Sequence, residues 1–289
     1  MGGETASKRS GGGPRRGTLA VASALVAACH PEPAATVTLG AGVLALGAGR
    51  GWGTPLVVAA IGAGQLFVGW SNDYFDRDQD RASRRLDKPI PGGRVSAGTV
   101  RNAAVVALVA CVPLSLASGL ASALTHFVAL ACAFAYNAWL KTRPVSVLPY
   151  AAAFGLLPAI VTLGLPHSHW PPPWAMAAGA LIGVGGHFTQ VLSDIPGDRA
   201  LGSAGLPQLL GQRASAVLAA LLLAAATALV TFGPGRAGAL PLAGLAVSVL
   251  LTLAILGTAL TGRTKAAFRL TLAVAGVAAL VFLAGGRSL

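Results

Sequence analysis

The acidic chemistry of this chain rests on very few residues. Only 9 of its 289 residues are acidic. Apart from Glu4 and Glu32, all of them are aspartates gathered in two places: Asp73, Asp76, Asp78, Asp80 and Asp87 in one stretch, Asp194 and Asp198 in another. Asp73, Asp76 and Asp80 follow an i, i+3, i+7 spacing, which puts them on one face of a helix. Carboxylates that close repel one another unless a cation lies among them. Hard oxygen donors in an incomplete set suit Mg²⁺, which fills the rest of its shell with water or substrate phosphates.

The elements that must hold these carboxylates are strongly apolar. Hydrophobic residues make up 54% of the chain and charged residues 10%, with a mean hydropathy of +0.70. A soluble domain carries roughly 25% charged residues. Apolar runs of the length that crosses a bilayer follow one another at 34–49, 54–74, 97–117, 120–140, 145–164, 173–193, 214–232, 237–261 and 266–284. The expected fold is an all-α polytopic membrane protein with nine transmembrane helices. Residues 1–16 read as a disordered basic tail and 17–289 as one transmembrane domain. The short run from Thr18 to Cys29 reads as an interfacial helix ended by His30-Pro31-Glu32-Pro33, because proline cannot continue a helix.

The net charge of +12 raises the question of nucleic acid. Topology accounts for it instead. With the N-terminus in the cytoplasm, every Lys and Arg except Arg50, Arg236 and Arg287 falls on the cytoplasmic side, as the positive-inside rule requires. Basic patches interleaved with aromatics are absent, so no nucleic-acid partner is expected. The partner is the lipid bilayer, read as a bacterial cell membrane, and all seven aspartates face the cytoplasm. The 3 cysteines show no CxxC or Cys/His spacing, so neither a disulfide framework nor a zinc site is indicated.

The second acidic stretch closes the run at 173–193. His187, Gln190 and Asp194 repeat the i, i+3, i+7 spacing, a polar face on a membrane helix, where such groups are costly and usually face the bundle interior. Pro196-Gly197 should break that helix and leave Asp198 on a loop. The two stretches echo each other: Asp76-x-x-x-Asp80-Arg81-Ala82 is matched by Asp194-x-x-x-Asp198-Arg199-Ala200. Two acidic sites flanked by arginines at one end of an apolar bundle point to a diphosphate held through Mg²⁺, with basic residues neutralising the remaining charge. Gln190 and Arg199 are substrate-binding candidates beside the second pair, and His187 is a candidate pocket residue. The apolar interior suits a hydrocarbon tail, so the expected substrate is an isoprenyl diphosphate. Loss of its diphosphate leaves an allylic cation.

Four motifs in order carry a family resemblance. Asn72-Asp73-x-x-Asp76-x-x-x-Asp80 resembles the first Asp-rich motif of the UbiA superfamily of intramembrane prenyltransferases. The stretch from Asp87 to Ser96 is similar to the end of its first cytoplasmic loop, Tyr136-x-x-x-x-Lys141 to its Tyr/Lys motif, and Asp194-x-x-x-Asp198 to its second Asp-rich motif. The resemblance implies a UbiA-like bundle with a central cavity open to the cytoplasm. It also implies Mg²⁺-dependent transfer of a prenyl group from its diphosphate to an acceptor, commonly an aromatic ring or quinone precursor. Asp73, Asp76, Asp80, Asp194 and Asp198 would then serve the metal, and Asn72 would line the site. Arg81, Lys88 and Lys141 would meet the diphosphate, and Tyr136 the acceptor or the cation. The alternative on the same scaffold is a terpene cyclase that captures the cation internally. A transporter is disfavoured because no acidic residue lies at mid-membrane.

Overall fold

The computed structural model describes residues 17–235 and 237–284. The expected basic tail at 1–16, together with Arg236 and Arg287, lies outside the described residues. Among those described, the chain is helical and contains no strand. The apolar runs form helices because a helix satisfies its own backbone hydrogen bonds where no water can.

Two helices lead into the bundle, α1 (Thr18–Ala28) and α2 (Pro31–Gly47). They are followed by α3 (Thr54–Ala82), α4 (Ala97–Leu116), α5 (Leu120–Ala135), α6 (Val147–Gly155), α7 (Leu157–Thr162) and α8 (Pro173–Val191). Two short helices, α9 (Ile195–Ala200) and α10 (Leu206–Leu210), precede α11 (Gln212–Phe232), α12 (Ala239–Leu260) and α13 (Thr264–Ala284). Neighbours in sequence mostly pack as neighbours in space, and α13 returns to pack on α2, so the helices close into a ring. The outward faces are apolar, with Val106, Leu124, Leu221, Leu250 and Leu253 exposed. That is the reverse of a soluble bundle and suits a lipid surround. The chain is an integral membrane protein.

Among the described residues, six helices are long and apolar enough to cross a membrane. The other three expected runs are helical but depart from that standard for identifiable reasons. The run at 34–49 is the 17-residue α2. The run at 145–164 is interrupted at Leu156, between α6 and α7, with Pro158 in the first turn of α7. The run at 173–193 is α8, whose hydropathy is lowered by Gly179, Gly183, Gly185 and Gly186 and by His187 and Gln190.

In the other direction, α3 is longer than the run that predicted it. Its 29 residues span roughly 43 Å at 1.5 Å per residue, more than the roughly 30 Å of a bilayer core. The surplus turns carry the aspartates past the apolar section. The α1–α2 junction is pressed against the middle of α3. Ala24, Ala28, Ile90, Val95 and Val100 form a buried cluster beneath it, and the Trp70 indole N–H donates to the Leu25 carbonyl at 2.9 Å.

Gly69 makes that approach possible: a Cβ there would lie 2.4 Å from the Cys29 carbonyl oxygen and 2.9 Å from its Cα. Both obstacles are backbone and cannot rotate away. Gly69→Ala is therefore expected to destabilise the protein by about 1–3 kcal/mol, the usual range for overpacking, seen as a lower thermal-unfolding midpoint in detergent. Gly186→Ala, inside α8 where a Cβ meets open space, should not lower the midpoint and should raise it slightly, because Ala favours the helix over Gly.

Candidate active site

The last turns of α3 carry Asp76 and Asp80, and the α8–α9 junction carries Asp194 and Asp198. All four line one cavity of about 580 Å³. The helix break expected after Asp194 is present, since α8 stops at Val191. Asp198 is not on a loop, however. The chain re-forms as α9 with Asp194 at its N-cap, and Pro196 is accommodated in the first turn, where a missing N–H costs nothing.

Two side chains, Gln79 and Arg85, join the two acidic segments, and Gln208 and Lys141 hold them from the side. Gln79 and Gln208 donate to the two carboxylate oxygens of Asp198, each at 2.8 Å. Arg85 donates to Asp194 at 3.1 Å and stands 3.8 Å from Asp80. Lys141 Nζ lies against Asp76 Oδ1.

Asp73 has a different setting. It is buried, at 2% exposure, and does not line the cavity. Lys88 donates to its Oδ1 at 2.6 Å, and His30 Nε2 lies 3.2 Å from the same oxygen. The helical spacing does put Asp73 near the azimuth of Asp80. It lies about 10 Å deeper along the axis, however, where Lys88 and the α1–α2 junction cover it. The three-aspartate face read from spacing is thus split by depth: Asp76 and Asp80 at the cavity, Asp73 beneath Lys88 and His30.

A second, mainly apolar cavity of about 150 Å³ continues into the bundle and shares His30, Pro33, Asn72, Tyr136 and Gln190 with the first. Tyr136 begins a π-helical turn, Tyr136–Leu140, that extends α5. Such turns are rare and often mark functional sites. The wider turn places Tyr136 and Lys141, linked by the Lys141 N–H to Tyr136 carbonyl bond at 3.1 Å, on the same cavity. Asn72 donates to Asn137 at 3.2 Å, and Asn137 donates to Ser71 and to the Val68 carbonyl. Gln190 accepts from the Tyr150 hydroxyl at 2.9 Å.

Some sequence candidates sit elsewhere. Arg81 is half exposed and pairs with Asp78 at 3.4 Å instead of lining the cavity; one residue past Asp80 is about 100° round the helix, which turns it to the outer side. Arg199 donates to the carbonyls of Gln208 and Leu209, which lack partners at the end of the short α10. His187 is buried behind the cavity wall, with Ser146 at 3.2 Å and the Tyr136 hydroxyl at 3.5 Å. It packs against Tyr136 and lines neither cavity. The spacing missed Arg85, Gln79, Gln208 and His30. Arg85 follows Arg84 in a basic loop with nothing to single it out. Gln79 sits beside Asp80 and carried a legible hint in its neighbour alone.

The four cavity aspartates, with Glu32, are faced across the same cavity by Arg85, Lys88, Lys141, Lys265 and Arg269. Burial, then the Asp194 charge, holds the Asp198 carboxyl above the usual carboxylate range. Burial would lower the Arg85 guanidinium, but Asp194 and Asp80 outweigh it and raise it. Asp80 Oδ2 is buried with no hydrogen-bond partner, an acceptor left over for a cation. Among the described residues no three acidic, His or Cys side chains are close enough to enclose a metal unaided. The donor set therefore fits an ion that takes further oxygens from its substrate, as Mg²⁺ does.

The fold and site together define an all-helical membrane protein with a paired-aspartate head-group cavity above an apolar one. The chain belongs to the UbiA prenyltransferase family, whose sequence profile matches residues 34–274; it is a transferase of prenyl groups. Among curated relatives, the digeranylgeranylglyceryl phosphate synthase of Methanothermobacter thermautotrophicus is 30% identical, the match covering 70% of this chain and 71% of that protein. The synthase of Halobacterium salinarum is 32% identical over 66% of this chain and 72% of its own length. That of Methanothrix thermoacetophila is 34% identical, and there the match spans only 57% of the relative's length. In fold, the chain resembles a UbiA homologue from Aeropyrum pernix, with TM-score 0.71 and 21% identity, covering 91% of this chain and 98% of that one. It also resembles one from Archaeoglobus fulgidus bound to GPP and Mg²⁺, with TM-score 0.65 and 17% identity, covering 91% and 98%.

Arg85→Ala removes the cation between Asp80 and Asp194. The variant is expected to melt below wild type without metal, and added Mg²⁺ should raise its midpoint more than it raises that of wild type. Arg81→Ala, at an exposed pair, should change stability by less than about 0.5 kcal/mol. Equal melting of the two variants would show that Arg85 does not bridge the acidic segments.

Proposed function

We propose that this protein transfers an isoprenyl group from its diphosphate to the hydroxyl of a glycerol phosphate lipid, in a nine-helix bundle whose cavity opens to the cytoplasm. The single observation that carries this reading is the join between the two cavities, polar and acidic above, apolar below, meeting at Asn72 and Tyr136. A diphosphate with a hydrocarbon tail has that same division of polarity. The nine-helix count rests on α2, the α6–α7 pair and α8 lying alongside the six long apolar helices, and the orientation rests on the collection of arginines and lysines at the aspartate end.

Asp76, Asp80, Asp194 and Asp198 would hold Mg²⁺, which supplies Lewis-acid stabilisation of the leaving diphosphate when bound. Lys141 and Arg85, both on the cavity wall, stand where they can neutralise the diphosphate as charge develops on it. Tyr136, braced by His187 and edge-on to Tyr150 with ring centroids 4.9 Å apart, presents aromatic surface at the junction where the allylic cation would form. The apolar cavity below excludes water that would otherwise capture that cation. Asp73 takes no part in the metal set in this reading; it fixes Lys88 and His30.

The acceptor departs from the aromatic ring implied by the sequence resemblance. Its support is the glyceryl phosphate named in the curated relatives, together with Lys265 and Arg269, which line the cavity mouth where an acceptor phosphate could bind.

Purified protein would be assayed with Mg²⁺ and isoprenyl diphosphates of several lengths, with a prenylglyceryl phosphate, with an aromatic acceptor, or with neither. Diphosphate release that depends on the glyceryl phosphate lipid is expected, abolished by chelation and lowered at least about 100-fold by Asp76→Ala or Asp194→Ala. Release with a cyclic hydrocarbon and no acceptor would indicate the cyclase instead. No release with any donor would refute the enzymatic reading.

A further inference from the structure

His30 stands out on backbone, position and partner. It has φ 55° and ψ 67°, one of two non-glycine residues with positive φ among the described residues, the other being Arg84. A side chain in that region is held there by its surroundings, and such positions cluster at functional sites. It is the one histidine lining the head-group cavity, and it lines the apolar cavity as well. Its Nε2 lies 3.2 Å from Asp73 Oδ1, and Lys88 is bonded to that same carboxylate. With Nε2–H donating to Asp73, the lone pair resides on Nδ1. Nε2 faces the Lys88 ammonium as well, at 3.4 Å, both groups converging on Asp73 Oδ1, whereas Nδ1 has no hydrogen-bond partner among the described residues, on a side chain 31% exposed at the junction of the cavities. A carboxylate that fixes the tautomer of an imidazole and leaves its other nitrogen free is the arrangement that makes histidine a proton acceptor.

We propose that His30, oriented by Asp73, binds the acceptor hydroxyl at Nδ1 and takes its proton during transfer. This rests on the hydroxyl acceptor of the preceding section. The hydroxyl oxygen forms a bond to C1 of the prenyl group, and the bond from C1 to the diphosphate oxygen breaks, its electron pair leaving with the diphosphate. The O–H electron pair stays on the new ether oxygen, and the proton passes to His30 Nδ1 and then to water. Asp73 is the positioning residue and stays ionised beside Lys88.

His30→Gly is the informative variant, because glycine adopts positive φ without strain and preserves the α1–α2 turn. Its transfer to the glyceryl phosphate lipid is expected to fall by about 10²–10⁴-fold, the range of a lost general base. Binding of prenyl diphosphate with Mg²⁺, measured by calorimetry, should stay within about threefold of wild type. Added imidazole should restore part of the transfer. His30→Gln, which can hydrogen-bond but cannot take the proton at neutral pH, should stay slow. Wild-type rates in either variant would overturn the proposal, as would loss of donor binding in step with transfer, or no recovery with imidazole. Wild-type protein that transfers to no hydroxyl acceptor would refute this proposal and the hydroxyl reading together; wild-type transfer with an equally fast His30→Gly would refute this proposal alone.

Discussion

Four carboxylates brought to one cavity at the end of an apolar bundle repel each other, and the rest of the site answers that repulsion. In a surround of low polarity the repulsion is far stronger than in water. Arg85 stands between the first and second acidic segments, Lys141 against Asp76, and two glutamines hold Asp198 through both of its oxygens. These contacts come from α3, the loop after it, the end of α5, α9 and α10, so elements far apart in sequence are tied together by one local excess of charge. One acceptor stays unanswered, since Asp80 Oδ2 is buried without a hydrogen-bond partner.

The same economy governs the buried polar groups behind the cavity. Asn72, Asn137 and Ser71 satisfy one another, and His187 is shared between Ser146 and Tyr136. Polar side chains in a membrane interior are costly when left unpaired. Their network also fixes Asn72 and Tyr136 in place, so the residues at the junction of the two cavities are held from behind instead of by the ligand.

Much of this was legible in the sequence. The membrane fold followed from apolar runs alone, and the acidic segments stood out because the chain has so few acidic residues. Face and order were readable; depth was not. Spacing put Asp73 on the same side as Asp80 but could not reveal that Lys88 folds back over it. The resemblance implies Arg81 for the diphosphate, whereas the turn at Arg84, with φ 54°, carries Arg85 back toward the carboxylates. Arg199 fitted the echo between the segments yet serves the end of α10. Its role depends on a helix too short to carry a periodic signal. His30 looked like punctuation, a helix stop before two prolines, because strained backbone leaves no mark in composition.

The two-cavity arrangement has a consequence for how such a protein can change. Head-group residues and tail residues overlap only at the short list of side chains common to both cavities. In the proposed reaction, substitutions deeper in the apolar cavity alter which hydrocarbon is admitted while the ionising machinery stays intact. The scaffold is modular along its own axis: reactivity is inherited from one end, and the identity of the group transferred is free to drift at the other.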